Sequence, residues 1–364
     1  MKKKYIAIIC IIILIIIAVS AFFLIKNNID SKKTYEIAKI EEYNYFVLRQ
    51  DDKYGVIDRQ GNILINPTYA EVKIPNPEKA VFVCKEENDN IKILNNNNEE
   101  LMTEYEQIEP IKLKNIQSDL MYEKSVLKYK KDNKYGLINF EGKEITKPEY
   151  DEIDSLGYKE GELLVKKDNK YGIMNINGYL MIPTEYDQIS VDKYYTDENS
   201  YKDAGYIVSI TTNEGYRYGY INKDGKKLLE TEYNELSRIN EIENSQDVYI
   251  LCAKNGQYGI NKNEENIISN EYQSITYNEA NNIFIVERSK KYGVRNINGK
   301  EIIPVEYSQI DTTGIYIYAQ NQEENKVFNS LGEEQNISSN IEILNTDNEN
   351  YRIKIDSTNG TKYG

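Results

Sequence analysis

Histidine does not occur once in this chain of 364 residues. Without an imidazole, neither a Ser-His-Asp triad nor a histidine-ligated metal site can be built. Aspartate and glutamate together number 59, so neighbouring carboxylates are expected by chance alone and do not mark a glycosidase-like pair. We therefore predict a protein that is not an enzyme and that has no cofactor and no metal site. A carboxylate-based glycan-processing enzyme is the alternative.

Tryptophan is also absent, and phenylalanine occurs only 7 times against 33 tyrosines. After residue 25 the chain has no long hydrophobic run. Its apolar residues fall instead in short groups separated by Asn, Asp, Glu, Lys and Gly. Short apolar groups bounded by turn-forming residues are typical of β-strands, so the sequence predicts an all-β protein.

Negative charge exceeds positive charge outside the N-terminus. The chain has a formal net charge of −14, but its first 33 residues hold six lysines against one aspartate, which leaves −19 on the remainder. A body this acidic repels polyanions, so we predict no nucleic-acid partner.

The single long apolar run covers residues 5–25, which carry no charge and follow three lysines. As a helix it spans about 30 Å, the thickness of a bilayer core. The positive-inside rule places residues 1–4 in the cytoplasm, residues 26–34 as a linker, and residues 35–364 outside the cell as the repeat domain. The alternative is a secreted protein cleaved after Ala18-Val19-Ser20, near Ala21.

The rest of the chain is a tandem repeat, with openings 34 to 47 residues apart over its last four clear copies. Each clear copy opens on a Tyr-Gly pair: Tyr54-Gly55, Tyr135-Gly136, Tyr171-Gly172, Tyr218-Gly219, Tyr258-Gly259 and Tyr292-Gly293. A degenerate copy surrounds Tyr105, a weaker one begins near Lys326, and Lys362-Tyr363-Gly364 has the opening of a ninth.

Turn signals divide each copy into strands. A glycine seven residues after the opening tyrosine predicts a hairpin turn that needs positive φ, at Gly61, Gly142, Gly178, Gly225 and Gly299. A second turn precedes the opening tyrosine, as in Asp132-Asn133 and Asp168-Asn169. A closing tyrosine with an aliphatic residue three places later, such as Tyr150 and Ile153, predicts a fourth short strand. Each unit is thus predicted to have three or four short antiparallel strands.

Such a unit cannot bury both faces of its sheet alone, so neighbouring units must stack. We expect the two tyrosines of each unit to form the core between units. Cys84 and Cys252 fall on corresponding strands of units about four apart. Their Cα atoms should exceed the reach of a disulfide, about 7 Å, and we expect both to be buried as small apolar residues.

These units resemble the WG repeat family, also called KWG repeats. The resemblance rests on the Lys-Tyr-Gly opening, the glycine-centred turn and the Pro-rich close before Tyr150-Asp151-Glu152-Ile153 and Tyr186-Asp187-Gln188-Ile189. Every opening has Tyr where the family favours Trp. The resemblance implies a β-repeat protein, often bacterial and exported, and implies no reaction.

Two arrangements of the units are compatible with this pattern. About eight units of three to four strands favour a closed β-propeller-like ring, and the variable spacing keeps an open β-superhelix as the alternative.

The insertion over residues 190–216 is the most distinctive local feature, because it adds Tyr194, Tyr195, Tyr201, Tyr206 and Tyr216 to the repeat tyrosines. Aromatic rings on polar loops can stack on sugars or grip a peptide, so these five are the candidate ligand-binding residues. The alternative is an extended hairpin whose tyrosines pack on their own sheet. We predict a membrane-anchored extracytoplasmic binding or scaffolding module for cell-wall glycan or a surface protein, with a structural spacer as a further alternative.

Overall fold

The fold is taken from a computed structural model that describes residues 25–26, 29, 32–114, 120–157, 160–195, 201–239, 242, 247–314, 316–322, 325–335, 341–347, 350–357 and 360–363. The helix predicted over residues 5–25 therefore lies outside the described residues except for Ile25, and so does the alternative cleavage site at Ala21. Residues 25–26, 29 and 32–33 are helical. Within the described ranges, no helix is both long enough and apolar enough to cross a membrane.

All regular structure from residue 45 onward in the described ranges is β-strand, arranged in nine small antiparallel sheets of three or four strands, which confirms the predicted all-β repeat array. The chain divides within its fifth sheet into two compact units, residues 1–191 and 192–364.

The first unit holds four complete sheets. Sheet 1 contains β1 (Tyr45–Gln50), β2 (Lys53–Asp58) and β3 (Ile63–Tyr69); sheet 2 contains β4 (Glu71–Lys73), β5 (Phe82–Lys85), β6 (Ile91–Leu94) and β7 (Glu100–Leu101). Sheet 3 contains β8 (Gln107–Lys112), β9 (Tyr122–Lys131) and β10 (Lys134–Ile138); sheet 4 contains β11 (Glu152–Ser155), β12 (Glu162–Lys167), β13 (Lys170–Asn175) and β14 (Leu180–Tyr186).

The remaining five sheets follow the same order. Sheet 5 contains β15 (Gln188–Tyr195), β16 (Tyr201–Thr212), β17 (Gly215–Asn222) and β18 (Lys227–Tyr233); sheet 6 contains β19 (Glu235–Ile239), β20 (Tyr249–Lys254), β21 (Gln257–Lys262) and β22 (Glu265–Tyr272). Sheet 7 contains β23 (Ser274–Asn278), β24 (Ile283–Arg288), β25 (Lys291–Asn296) and β26 (Glu301–Tyr307); sheet 8 contains β27 (Gln309–Thr313), β28 (Tyr316–Gln320) and β29 (Asn325–Asn329); sheet 9 contains β30 (Ile341–Asp347), β31 (Asn350–Ser357) and β32 (Gly360–Tyr363).

The predicted turns are confirmed. Each glycine seven residues after an opening tyrosine has positive φ, for example +75° at Gly178. Asn175, three residues earlier, closes this turn, since its Oδ1 accepts the amides of Asn177 and Tyr179, both at 3.0 Å. The turn before the opening tyrosine places Asp168 and Asn169 at φ +50° and +63°, as two-residue hairpin turns require.

The closing strand lies in a different sheet from the one predicted. β11, which contains Ile153 of the unit opened by Tyr135, pairs with β12 of the next unit. A closing strand is the first strand of the following sheet, and every sheet from the second to the eighth begins this way. Consecutive repeats are therefore joined by backbone hydrogen bonds as well as by side-chain packing.

The opening and closing tyrosines of one unit are cross-strand partners, as with Tyr171 and Tyr186. The glycine after the opening tyrosine sits at a shift in the strand register, where the backbone of the next strand comes close. A Cβ on Gly172 would lie 2.6 Å from the carbonyl oxygen of Ile182. This glycine is needed for close approach rather than for positive φ.

In each of the two compact units, residues 1–191 and 192–364, the hydrophobic core lies between consecutive sheets. One cluster joins sheets 3 and 4 and includes Val126, Leu137, Tyr150, Ile153 and Leu163. Clusters of the same kind lie between sheets 1 and 2, 2 and 3, 6 and 7, and 7 and 8, as well as between sheets 5 and 6. The predicted stacking of repeats is confirmed for these sheets. Cys84 and Cys252 are buried with free thiols, as expected.

Candidate functional site

The insertion that carries the predicted ligand tyrosines is mostly strand rather than loop. Tyr194 and Tyr195 end β15, Tyr201 begins β16, and the side chains of these three lie outside the described set. Tyr206 in β16 is only 2% exposed, so its ring is part of the core and is not offered to a ligand. Tyr216 in β17 is 46% exposed, with its ring 6.4 Å from that of Tyr218. Of the two whose side chains are described, only Tyr216 is open to solvent.

The opening tyrosines of the repeat do not form a free row of rings. Each is half-buried, and in several sheets a cation from the neighbouring strand covers the ring. Lys128 lies 5.0 Å from the ring centroid of Tyr135, and Lys166 lies 5.4 Å from that of Tyr171. Such contacts stabilise the sheet and occupy the ring face on which a sugar would otherwise stack.

A candidate site is the cleft of about 710 Å³ in the first unit, where the glycine turn of sheet 3 meets sheets 2 and 4. Its floor is apolar, formed by Val126, Phe140, Ile145 and Ile176. Its polar lining carries both signs of charge and several amides: Lys32, Lys79, Lys124, Lys143, Glu36, Glu141, Glu144, Asn76, Asn139 and Asn177. A volume of this size is typical of small-molecule sites.

One wall of the cleft is the segment of residues 32–44, which we call the strap. The strap has no strand of its own, yet it is hydrogen-bonded in turn to sheets 4, 3 and 1. Nδ2 of Asn175 donates to the carbonyl of Lys32 at 2.8 Å, and Nδ2 of Asn177 donates to that of Thr34 at 2.7 Å. Further along, the amide of Ala38 donates to Ser125 Oγ at 3.0 Å. The strap ends against sheet 1, where the amide of Arg59 donates to the carbonyl of Asn44 at 3.0 Å.

Two buried carboxylates support this region. Glu123 accepts the amides of Ser125 at 2.9 Å and of Gly161 at 3.1 Å. Glu162 accepts the hydroxyl of Tyr35 in the strap at 2.8 Å. Buried carboxylates with such donors are fixed structural groups, because hydrogen bonds replace the water that each has lost.

The carboxyl groups whose pKa is displaced in the described structure are all displaced downward. In the cleft, the hydrogen bond from Lys79 lowers the pKa of Glu141. The same direction holds for Asp58, Glu78, Glu86, Asp89 and Asp151. A general acid working near neutral pH needs a raised pKa. Over the described ranges, no cluster of three or more Cys, Asp or Glu side chains is arranged to hold a metal ion. The absence of catalytic activity and of a metal site therefore remains a prediction from the sequence.

Sequence reasoning did not find this cleft. Its lining comes from turns of different repeats and from the strap, which has no repeat pattern. No local signal marked it, since Glu123 lies in β9 among lysines and a serine, and the corresponding strand β12 also contains a carboxylate, Glu162.

The fold is that of an all-β repeat protein. Its small antiparallel sheets are linked because the closing strand of one repeat is the first strand of the next sheet. The model of the WG-containing repeat matches residues 54–87, 135–171 and 218–241, which begin at three of the predicted openings. These three matches confirm the resemblance to the WG repeat family, and each begins at an opening that has Tyr in place of Trp. A comparison with curated protein sequences gives no match.

Several solved structures match the chain at low similarity. A eukaryotic initiation factor is 10% identical, with 87% of this chain and 91% of that chain covered and a TM-score of 0.30. Dipeptidyl peptidase 4 of Porphyromonas gingivalis is 9% identical, with 91% and 57% covered and a TM-score of 0.25. The WD40 β-propeller domain of Doa1 is 11% identical, with 71% and 93% covered and a TM-score of 0.21.

Proposed function

We propose that this chain is a membrane-anchored, extracytoplasmic, non-catalytic binding module whose ligand is a cell-wall glycan or a surface protein. The observation that carries the proposal is the cleft between the strap and sheets 2 to 4. Repeat scaffolds hold side chains from several units at fixed positions, which suits binding better than chemistry.

The lining of the cleft favours a polar ligand with charged substituents. An apolar floor accepts the faces of sugar rings or aliphatic side chains, while amides and charges at the rim select hydroxyl, amino and carboxyl groups. Lys79 already pairs with Glu141 at 2.8 Å, and Lys124 pairs with Glu160 at 3.0 Å. Lys143 has no ion pair within the described ranges and is exposed, so its ammonium group is available to an anionic substituent.

The strap connects this site to the proposed anchor. Lys32 and Lys33 are hydrogen-bonded to sheet 4 only seven residues after Ile25. Seven extended residues span at most about 25 Å, so on this proposal the cleft faces the membrane from close range. The proposed closed, propeller-like arrangement of the sheets, with the open superhelix as alternative, is tested separately by small-angle scattering.

The test is site-specific crosslinking on intact cells. A photoreactive residue replaces Lys143 at the cleft, and a matched control replaces Lys300, which has the same position in the glycine turn of sheet 7. We expect envelope material to crosslink at position 143 and not at position 300. Equal crosslinking at both positions, or none at either, contradicts the proposal. A substrate panel that gives turnover sensitive to one carboxylate change would favour the enzyme instead.

A further inference from the structure

Sheet 1 differs from sheets 2 to 8, because no closing strand precedes β1 among the residues that the structure describes. In sheets 2 to 8 the strand equivalent to β1 has a closing strand on its outer side, whereas β1 is the outer strand of its sheet. Phe46 and Val47 are 42% and 44% exposed. Leu163, which corresponds to Phe46 by register, is 1% exposed in sheet 4.

Closing strands dock in one repeated way. The amide that follows the closing tyrosine donates to a carbonyl on the next apolar strand, as from Asp151 to Lys166 at 2.7 Å. The same bond recurs from Ala70 to Lys85, Glu106 to Lys130, Asn234 to Ala253, Gln273 to Glu287 and Ser308 to Gln320. By register with the opening tyrosine, the equivalent carbonyl on β1 belongs to Arg49.

A side chain at that same position then caps the hairpin turn of the next unit. The carboxylate of Asp151 accepts the amide of Asp168 at 2.8 Å. Glu106, Asn234 and Gln273 cap the amides of Asp132, Asn255 and Ser289 at 2.6 to 2.8 Å. The equivalent amide in sheet 1 is that of Asp51, in a turn with the same positive φ, and the described residues supply no cap for it.

Charge also matches at this edge. Glu152 of β11 lies opposite Lys166, and Glu71 of β4 lies opposite Lys85. The residue in this register on β1 is Arg49, whose side chain is 63% exposed and forms an ion pair with Asp52 in the adjoining turn. An acid on an incoming strand would therefore face a base, as it does in sheets 2 and 4.

We propose that the outer edge of β1 is a docking site for one extended strand of a partner protein, with the closing pattern of tyrosine, a side-chain acceptor, an acid and an aliphatic residue. The strand would donate to the Arg49 carbonyl, cap the Asp51 amide, place its acid opposite Arg49 and pack its aliphatic residue against Leu48. Strand addition of this kind gains affinity from main-chain bonds and specificity from alternate side chains.

The occupant comes from another protein because this chain has no spare closing strand in its described part. Each of β4, β8, β11, β15, β19, β23 and β27 is already the first strand of its own sheet. The segment directly before β1 is the strap, which is bonded to other sheets. The inference deepens the proposed binding function, on which it rests, by naming a class of protein partner.

The test uses the full chain in detergent micelles and a fluorescent peptide of residues 149–157, which holds a complete closing sequence. We expect saturable binding by fluorescence anisotropy. Val47→Pro removes an amide on the outer side of β1, since residues 47 and 49 point the same way in an antiparallel strand. This variant should bind at least about tenfold more weakly.

Exchanging the charges of Arg49 and of the peptide separates weaker binding from misfolding, because a misfolded variant would not recover binding with a changed peptide. Arg49→Glu should weaken binding of the native peptide, and a peptide with Glu152→Lys should recover it on that variant alone. A peptide with Ile153→Asp is the specificity control. No binding, or binding that Val47→Pro leaves unchanged, overturns the proposal. The proposal is also overturned if the chain forms a dimer that Val47→Pro dissociates but that the peptide does not dissociate. The strand docked on β1 then belongs to a second copy of this chain. None of these results bears on crosslinking at position 143, so the two proposals fail separately.

Discussion

Tyr171 and Tyr186 are direct cross-strand partners on β13 and β14, although fifteen residues separate them in the chain. Tyr186 is 2% exposed, whereas Tyr171 is half-buried under Lys166. The same pairing joins Tyr54 to Tyr69, Tyr218 to Tyr233, Tyr258 to Tyr272 and Tyr292 to Tyr307. In four of these five pairs the closing tyrosine is buried in the core and the opening tyrosine is half-buried, whereas in the first pair both tyrosines are half-buried.

This asymmetry predicts unequal costs of truncation. Tyr186→Ala removes a fully buried ring and should lower the free energy of unfolding by about 3 to 5 kcal/mol. Tyr171→Ala removes a ring that is already partly in water, so its cost should be clearly smaller. Urea denaturation of the two variants measures the difference. Equal costs would show that the opening tyrosine is as much a part of the core as the closing one.

Gly172 and Gly61 are needed for different reasons and predict different responses to alanine. At Gly172 the new Cβ would lie 2.6 Å from a backbone oxygen, so the strands must separate, at a cost of about 2 to 3 kcal/mol. At Gly61, with φ +88°, the Cβ meets nothing within 4 Å, so only backbone strain of about 1 kcal/mol is expected. Thermal unfolding that ranks Gly61→Ala as the more damaging change would contradict this ranking.

The sequence pattern was sufficient for the turns and strands, because their signals are local. Gly178 needs positive φ for its hairpin, and Asp168-Asn169 suits a two-residue turn, whatever lies around them. The partner of the closing strand was not predictable in the same way. Ile153 shows that the strand is half-buried, but nothing in its own sequence distinguishes pairing within its unit from pairing with β12 of the next.

The candidate site was predicted less well than the fold. Tyr206 and Tyr216 look equivalent in sequence, and their opposite exposure follows from position along β16 and β17: Tyr216 lies next to the hairpin turn at residues 213–214, whereas Tyr206 pairs with buried Ile221. The cleft depends on the strap, whose bonds to Asn175 and Ser125 join residues far apart in the chain. The position of Asn175 holds Asp58, Asn139, Asn222 and Asn296 in the other glycine turns, and the turn itself explains these residues.

Asp151 predicts a pH-dependent contribution to stability. The hydrogen bond from Lys134 lowers the pKa of Asp151 below its ordinary value of 3.8, and the carboxylate also caps the Asp168 amide. A lowered folded-state pKa stabilises the fold fully above the unfolded value and progressively less as pH falls through the folded value.

Asp151→Asn keeps an oxygen for the cap and loses the charge, so its Tm should lie below that of the natural chain near neutral pH. The difference should shrink as pH falls below about 4, where the natural carboxylate also becomes neutral. Asp151→Ala loses the cap as well and should melt lower at each pH. A difference between Asp151→Asn and the natural chain that grows toward low pH would contradict the sign of this effect.

Of the two predicted ligand tyrosines whose side chains are described, Tyr216 is the exposed one. Tyr216→Ala should leave the Tm nearly unchanged, because the ring is 46% exposed, and should weaken retention of envelope glycan if the insertion contacts the ligand. Tyr206→Ala, in contrast, should lower the Tm by removing a buried ring. Unchanged retention with Tyr216→Ala would assign the insertion a structural role only.

The most direct test of the binding function is the affinity of the full chain for isolated envelope material, measured by co-sedimentation with Lys143→Glu and Lys300→Glu in parallel. Both changes reverse one exposed charge at the same position of a glycine turn, and only the first lies in the cleft. We expect Lys143→Glu to bind at least about tenfold more weakly than the natural chain, and Lys300→Glu to bind as tightly as the natural chain. Equal binding by the two variants and the natural chain would contradict the cleft as the binding site.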